Sequence, residues 1–388
     1  MILTAVIVAA IAFAHGASAG NNEDNGHKGP GHVVEGVAFD RYITIWLENT
    51  DFAAASADPN FQALTKQGLQ LTNYFAVTHP SEPNYISTVG GEYFGMQNDD
   101  FTQVPANIST IVDLLEDKGI SWAEYQEDMP SSGFTGFQSL NAQGKNDYVR
   151  KHNPLIIYDS VATVPARANL IKNFTLFQED LKNNALAQWI FITPNMTNDG
   201  HDTNITFSSK WAIDFLGPLL KNPHFNGPKT LISLTFDENS TGRLQNRVDT
   251  VLLGNAVPRS LIGTQDAAFY NHYSDIATIE ANWKLHTLGR YDVGANVFSF
   301  VAKKTGDVVR TLPDLDKTFL NASYPGVFNS GPKAPLPIPN TSLVVNHRTV
   351  LPKIVATWGS AALQKCTTYN GSLVVPSAAN PPVLPQGC

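Results

Sequence analysis

Three apolar runs in this chain end on residues that could do chemistry. RYITIWL leads into Glu48-Asn49. QWIFITP leads into Asn195 and then Asp199-Gly200-His201-Asp202, and TLISLTF leads into Asp237-Glu238-Asn239. Carboxylates at the end of a buried segment are costly unless they are paired or bind a cation. One such acid pair reads as a turn or a helix cap; three together point to a shared site. Hard oxygen donors such as Glu48, Asn49, Asp237 and Glu238 suit a divalent metal cation. One cation per site is expected, its identity left open. The fourth element is Thr78-His79-Pro80-Ser81-Glu82-Pro83-Asn84-Tyr85. Pro83 fits the first turn of a helix, which places Ser81 near its start. Free backbone N–H groups and the positive end of the dipole make that position a phosphate cradle. A serine hydroxyl there, next to a cation, is a competent nucleophile at moderate pH. His201, between Asp199 and Asp202 in a polar loop, is the best-placed general acid.

These groups need a scaffold that delivers strand ends to one edge. From Asp40 to about Phe300, strand-like and helix-like segments alternate. RYITIWLE, LTNYFAVT (Leu71–Thr78), QWIFITP (Gln188–Pro194), TLISLTFDE (Thr230–Glu238) and VDTVLLG (Val248–Gly254) read as strands. Helices are expected at 60–68, 109–118, 206–221 and 274–288. Near-continuously apolar strands alternating with helices imply an α/β fold, a mostly parallel sheet covered on both faces. In such sheets ligands bind beyond the carboxyl ends of the strands.

The motifs also carry a family resemblance. YFAVTHPSEPNYISTVGG, preceded by IWLEN and followed by TPNMTNDGHD, TFDEN and NHYSDIATIEANW, resembles the phosphoesterase family of fungal and bacterial acid phosphatases and phospholipases C. That family belongs to the alkaline-phosphatase-like superfamily, and the likeness spans about Tyr42 to Trp283. It implies a three-layer α/β sandwich. It implies a metal held by Glu48, Asn49, Asp237 and Glu238, with Ser81 as nucleophile and additional ligand. It places His79, His201 and His272 around the phosphate, with Asn84 and Asp202 binding substrate. The implied reaction is hydrolysis of a phosphate monoester through a phosphoserine. A phospholipase C-type phosphodiesterase is the nearest alternative. A non-catalytic cell-wall glycoprotein on the same scaffold is the alternative of another class. His152, His224, His286 and His347 have no motif around them and are expected to be structural or exposed.

Composition frames this reading. The chain has 388 residues, 43% hydrophobic and only 15% charged, with a net charge of −8. Disorder of the chain as a whole is excluded. No Lys/Arg cluster supplies phosphate contacts, so nucleic-acid binding is excluded as well. Residues 1–19 (MILTAVIVAAIAFAHGASA) read as a signal peptide closing on an A-x-A pattern, too short to span a membrane. Secretion is therefore expected. Residues 20–38 read as a flexible lead-in, 39–303 as the catalytic domain, and 304–388 as a Pro-rich extension packed on it. In an oxidising compartment Cys366 and Cys388 could pair and clip that extension. Sequons occur at Asn107, Asn173, Asn195, Asn204, Asn239, Asn321, Asn340 and Asn370. Glycans on several of these would keep a sparsely charged surface soluble. Asn195 and Asn239 flank the site and are expected to stay bare.

Overall fold

The centre of the sheet is built from strands buried on both faces. β1 (Arg41–Leu47) and β6 (Thr230–Phe236) are buried along nearly their whole length, so neither has a solvent face. The structure is a computed structural model, and it describes residues 33–329 and 335–388. The expected signal peptide and residues 20–32 of the lead-in lie outside the described residues. The other strands are β2 (Leu69–Phe75), β3 (Trp122–Gln126), β4 (Ile171–Asn173), β5 (Trp189–Thr193), β7 (Arg247–Leu253) and β8 (Thr264–Asn271). Together they form one eight-stranded sheet in the order β8-β2-β7-β6-β1-β5-β3-β4. β7 runs antiparallel to both neighbours, and the remaining pairs are parallel.

Helices cover both faces, as an α/β sandwich requires. Three of them matter for the site: α1 (Ser81–Gly90), α2 (Ile205–Leu219) and α3 (His272–Trp283). On one face Trp46 meets Tyr85 of α1 and His272 of α3. On the other, Phe236, the register partner of Leu47, meets Phe61 of a short helix that packs on α2. Alternation along β1 assigns the two faces, since successive side chains point opposite ways. β5, β1 and β6 are adjacent and parallel at the centre of the sheet. The three chemistry-bearing strand ends therefore emerge side by side.

The segment after residue 304 shares this core. Leu320, Tyr324, Leu351, Ile354 and Val375 are buried in the same cluster as the strands. Cys366 and Cys388 form a disulfide. Glu92, fully buried past the end of α1, is the polar anchor of this contact. Its Oε1 accepts from Tyr93 N at 2.8 Å, Phe94 N at 3.0 Å and Tyr324 OH at 3.0 Å. Among the described residues its Oε2 accepts from Tyr369 OH alone, at 3.0 Å. Burial pushes the Glu92 pKa up to about 7, against the pull of those donors. A folded-state pKa above the unfolded one means stability present at low pH is lost as pH rises through 7. Glu92→Gln keeps the Oε1 acceptor and lets Tyr369 OH turn to accept. Its melting temperature should change less between pH 5 and pH 8 than that of the wild type. Glu92→Ala orphans four buried donors and should cost about 3 kcal/mol or more at pH 5. Thermal melts of the three proteins check both, and equal pH sensitivity of wild type and Glu92→Gln would refute the assignment.

Candidate functional site

The site begins with the turn that presents Ser81. β2 ends at Phe75, and the chain reaches α1 in five residues. Asn84, one turn into α1, holds that turn. Its Oδ1 accepts from Val77 N (2.9 Å) and Thr78 N (3.3 Å). Its Nδ2 donates to Thr78 O (2.8 Å), Pro80 O (3.1 Å) and Glu238 Oε2 (3.3 Å). With its polar atoms so engaged and its surface buried, Asn84 braces the backbone behind the nucleophile position. Ser81 is the first residue of α1, with Pro80 as cap residue. Its hydroxyl donates to Glu48 Oε2 at 3.2 Å.

Around Ser81 the ends of β1 and β6 place Glu48, Asn49 and Asp237. Asn49 N donates to Asp237 Oδ1 at 3.2 Å. With its amide turned to donate, Asn49 also reaches Glu48 Oε2 at 3.0 Å and Asp237 Oδ1 at 3.2 Å. Four of the expected metal-ligating residues, Glu48, Asn49, Ser81 and Asp237, thus share one cluster. Glu238 faces elsewhere: its Oε2 lies 2.7 Å from His79 Nδ1. Burial raises the pKa of Glu48, Asp199 and Glu238 well above the usual carboxylate range, and the nearby Asp237 charge adds to each. Burial lifts Asp237 to about 6, against the hydrogen bond from Asn49 N.

A second group adjoins the first. His152 Nε2 lies 3.2 Å from Glu48 Oε1, and its Nδ1 lies 3.3 Å from Asp199 Oδ2. The ring stacks on Tyr85, whose hydroxyl donates to Glu48 Oε1 at 2.5 Å. Ligand atoms of Glu48, His152 and Asp199 lie within 4.8 Å of one another. Neither His152 approach has hydrogen-bond geometry. Asp199 Oδ2, Asp237 Oδ2 and His152 Nε2 are buried with no hydrogen-bond partner among the described residues. Orphaned carboxylate oxygens beside raised-pKa acids are what a divalent cation would satisfy, and the oxygen-rich donor set fits one.

The histidines divide by position. His201 N donates to Asp199 Oδ1 at 2.7 Å, and its Nδ1 lies 3.0 Å from Asp202 Oδ1. Its Nε2 lies 3.2 Å from Lys151 Nζ. His79, between Glu238 and Asn239 Oδ1 (3.0 Å), stands at the partly open edge. His272 is buried at the start of α3. Its Nε2 contacts the Asp237 carbonyl at 2.6 Å and its Nδ1 the Tyr74 hydroxyl at 3.2 Å. Burial lowers its pKa to about 3. The structure therefore sets His272 behind the strand end, as a neutral brace on the Asp237 backbone.

His152, expected to be structural or exposed, lies instead at the centre of the acidic cluster. Lys151, Tyr85 and Asp99 also line the site and were not singled out in the sequence. Tyr85 carried a signal, because it stands four residues after Ser81 on the same helix face. Among the sequons, Asn239 is buried and its Nδ2 donates to Asp51 Oδ1 and Thr241 O. Asn195 Nδ2 donates to Asp128 Oδ2 at 2.6 Å. Asn107, Asn204 and Asn370 are exposed. Among the described residues no helix is long and apolar enough to cross a membrane.

The profile of the phosphoesterase family matches residues 50–286. An acid phosphatase of Aspergillus fumigatus is 55% identical over 299 residues, 77% of this chain and 66% of that protein. A phosphate-repressible acid phosphatase of Penicillium chrysogenum is 54% identical over 293 residues, covering 76% of this chain and 70% of that protein. The chain thus spans about two thirds of the length of these relatives. A solved structure of a protein in the alkaline phosphatase superfamily from Vibrio parahaemolyticus is similar at 12% identity and a TM-score of 0.42. It covers 64% of this chain and 68% of that one.

Proposed function

The chain belongs to the phosphoesterase family, and from that premise we propose that it is a secreted, metal-dependent acid phosphatase acting on phosphate monoesters. The observation that carries this is the Ser81 hydroxyl at the start of α1, held against Glu48 inside a cluster of buried, partly unpartnered carboxylates. Relatives named as acid phosphatases, more than half identical in sequence, support the reaction class. The Met1–Ala19 run and the Cys366–Cys388 disulfide support secretion.

Ser81 Oγ attacks phosphorus in line with the leaving oxygen, and its proton is held at Glu48 Oε2. Glu48, Asn49 and Asp237, with His152 and Asp199 alongside, would hold the cation. When bound, that cation supplies Lewis-acid charge for the phosphoryl oxygens. The N-terminus of α1 adds positive potential at the same point. His201, oriented by Asp202, gives a proton to the departing alkoxide; water then attacks phosphorus, passing its proton to His201, and the proton held at Glu48 returns to Ser81 Oγ as the Ser81–phosphorus bond breaks. Burial and the neighbouring Lys151 charge both lower the His201 pKa. Its proton-donating form therefore belongs to acidic solution, in keeping with an acid optimum.

A substrate panel tests the reading. At pH 5, p-nitrophenyl phosphate should exceed bis(p-nitrophenyl) phosphate in kcat/KM by on the order of 100-fold, because a diester leaves polar groups of the site unpaired. Faster turnover of the bis-ester or of phosphatidylcholine would establish the phosphodiesterase alternative instead.

A further inference from the structure

Residues 150–152 form a single 3-10 turn (Arg150–His152) after a short hairpin strand (Asn146–Val149). Three residues per turn send three consecutive side chains in three directions. Arg150 goes back to the scaffold, donating to Thr102 O (3.2 Å) and Ile156 O (2.8 Å). His152 goes inward to Glu48 and Asp199. Lys151 goes toward Asp99 and His201. Its ammonium donates to Asp99 Oδ2 at 3.0 Å and contacts His201 Nε2 at 3.2 Å. Asp99 is tied to the nucleophile's own helix, since its Oδ1 accepts from Glu82 N at 2.9 Å.

We propose that Lys151 is a substrate-contacting residue whose ammonium binds the peripheral oxygens of the phosphoryl group, and that Asp99 is its positioning residue. This rests on the phosphatase reading above. An ammonium has three N–H donors and no acceptor. Two partners are present, so one donor is left for a ligand. Because Lys151 can only donate, His201 Nε2 must accept from it, and the His201 proton then sits on Nδ1 facing Asp202. In this arrangement Nε2 is occupied. A phosphoryl oxygen is a stronger acceptor than an imidazole nitrogen. Its arrival draws the ammonium away and frees Nε2 to take up a proton from acidic solution and give it to the leaving oxygen. The Lys151 charge also acts on Glu48, Asp199 and Glu238. Through His201, whose backbone N–H donates to Asp199, it stands beside the carboxylate cluster, where a phosphate dianion needs a countercharge. An isolated lysine–aspartate pair is worth little to stability and would not require this placement. The side chain is only 15% exposed, so its field is poorly screened.

The test uses the full-length, metal-loaded enzyme with p-nitrophenyl phosphate as substrate and inorganic phosphate as inhibitor. Lys151→Met should lower kcat/KM by ~100-fold and weaken phosphate inhibition in parallel. Lys151→Arg, which keeps the charge, should recover part of both. Asp99→Asn leaves the ammonium but loosens its aim. It should raise KM by ~10-fold with little change in kcat or melting temperature. This variant decides the matter if Lys151→Met does not fold. A folded Lys151→Met enzyme within about threefold of wild type in kcat/KM and in phosphate inhibition would overturn the proposal. So would an Asp99→Asn enzyme that melts lower with KM unchanged. A wild type that hydrolyses no phosphate monoester would instead refute the phosphatase reading on which the proposal rests.

Discussion

Ser81→Ala should lose phosphatase turnover by roughly 10⁴-fold or more while keeping its fold. The size follows from what is removed. The hydroxyl is the one nucleophile at the start of α1 that faces the carboxylate cluster, through its 3.2 Å bond to Glu48 Oε2. Neighbouring groups do not replace it. His79 is engaged with Glu238 and Asn239, and Tyr85 already donates to Glu48. The structural effect should be small. Ser81 is buried, and its side chain contributes one hydrogen bond, worth about 1 kcal/mol. That corresponds to a few degrees in melting temperature at most. Asn84 still clamps the turn through four backbone contacts, so the helix start should stay in place. Acid quench of the wild type with labelled substrate should trap phosphate on the peptide containing Ser81. The variant should trap none. Turnover of the folded variant within tenfold of wild type, or phosphate trapped on another residue, would remove Ser81 from the nucleophile role.

Much of this arrangement was legible because it lies where regular elements end. RYITIWL and TLISLTF carry no charge at any buried position, and the acidic residue that follows each must sit at the sheet edge. A helix starting at Ser81 follows from Pro83 in its first turn. Adjacent, parallel β5, β1 and β6 then bring the ends together, which residue order along the chain does not reveal. Three features were hidden for identifiable reasons. Asp237 and Glu238 are consecutive at a strand end, where side chains alternate. One meets Asn49 and the other meets His79. Lys151 and His152 arise from a 3-10 turn after an irregular hairpin, with no periodicity to mark them. His272 lies one residue past Asn271, which caps α3 in a reciprocal pair with Ser274. That cap turns the His272 ring inward, onto the Asp237 carbonyl.

Removing the divalent cation should have the second large effect, and its dependence on pH is the informative part. Treatment with EDTA should abolish hydrolysis, and one added divalent cation should restore it. The metal-free protein should also be less stable at pH 8 than at pH 5. Glu48, Asp199 and Glu238 have pKa values raised well above normal by burial, and Asp237 is raised to about 6. Unfolded carboxyls titrate near 4. The folded metal-free protein therefore binds protons more tightly than the unfolded chain. Stability present below pH ~4 is lost as pH rises through 6 and beyond. Asp237 alone accounts for on the order of 3 kcal/mol of that loss. A bound cation offsets the same charges, so the metal-loaded protein should show a smaller drop. Because the ligands must be deprotonated, cation affinity should itself weaken toward low pH. Melting curves at pH 5 and pH 8, with EDTA and with added cation, measure all of these quantities. Two outcomes would show that these carboxylates do not form a cation site. One is a metal-free protein that melts equally at both pH values. The other is an added cation that raises the melting temperature no more at pH 8 than at pH 5. Asp237→Asn separates the cluster from the rest of the chain. It removes one buried charge without changing shape, so it should raise the stability of the metal-free protein at pH 8. It should also abolish both the stabilisation by cation and the hydrolysis.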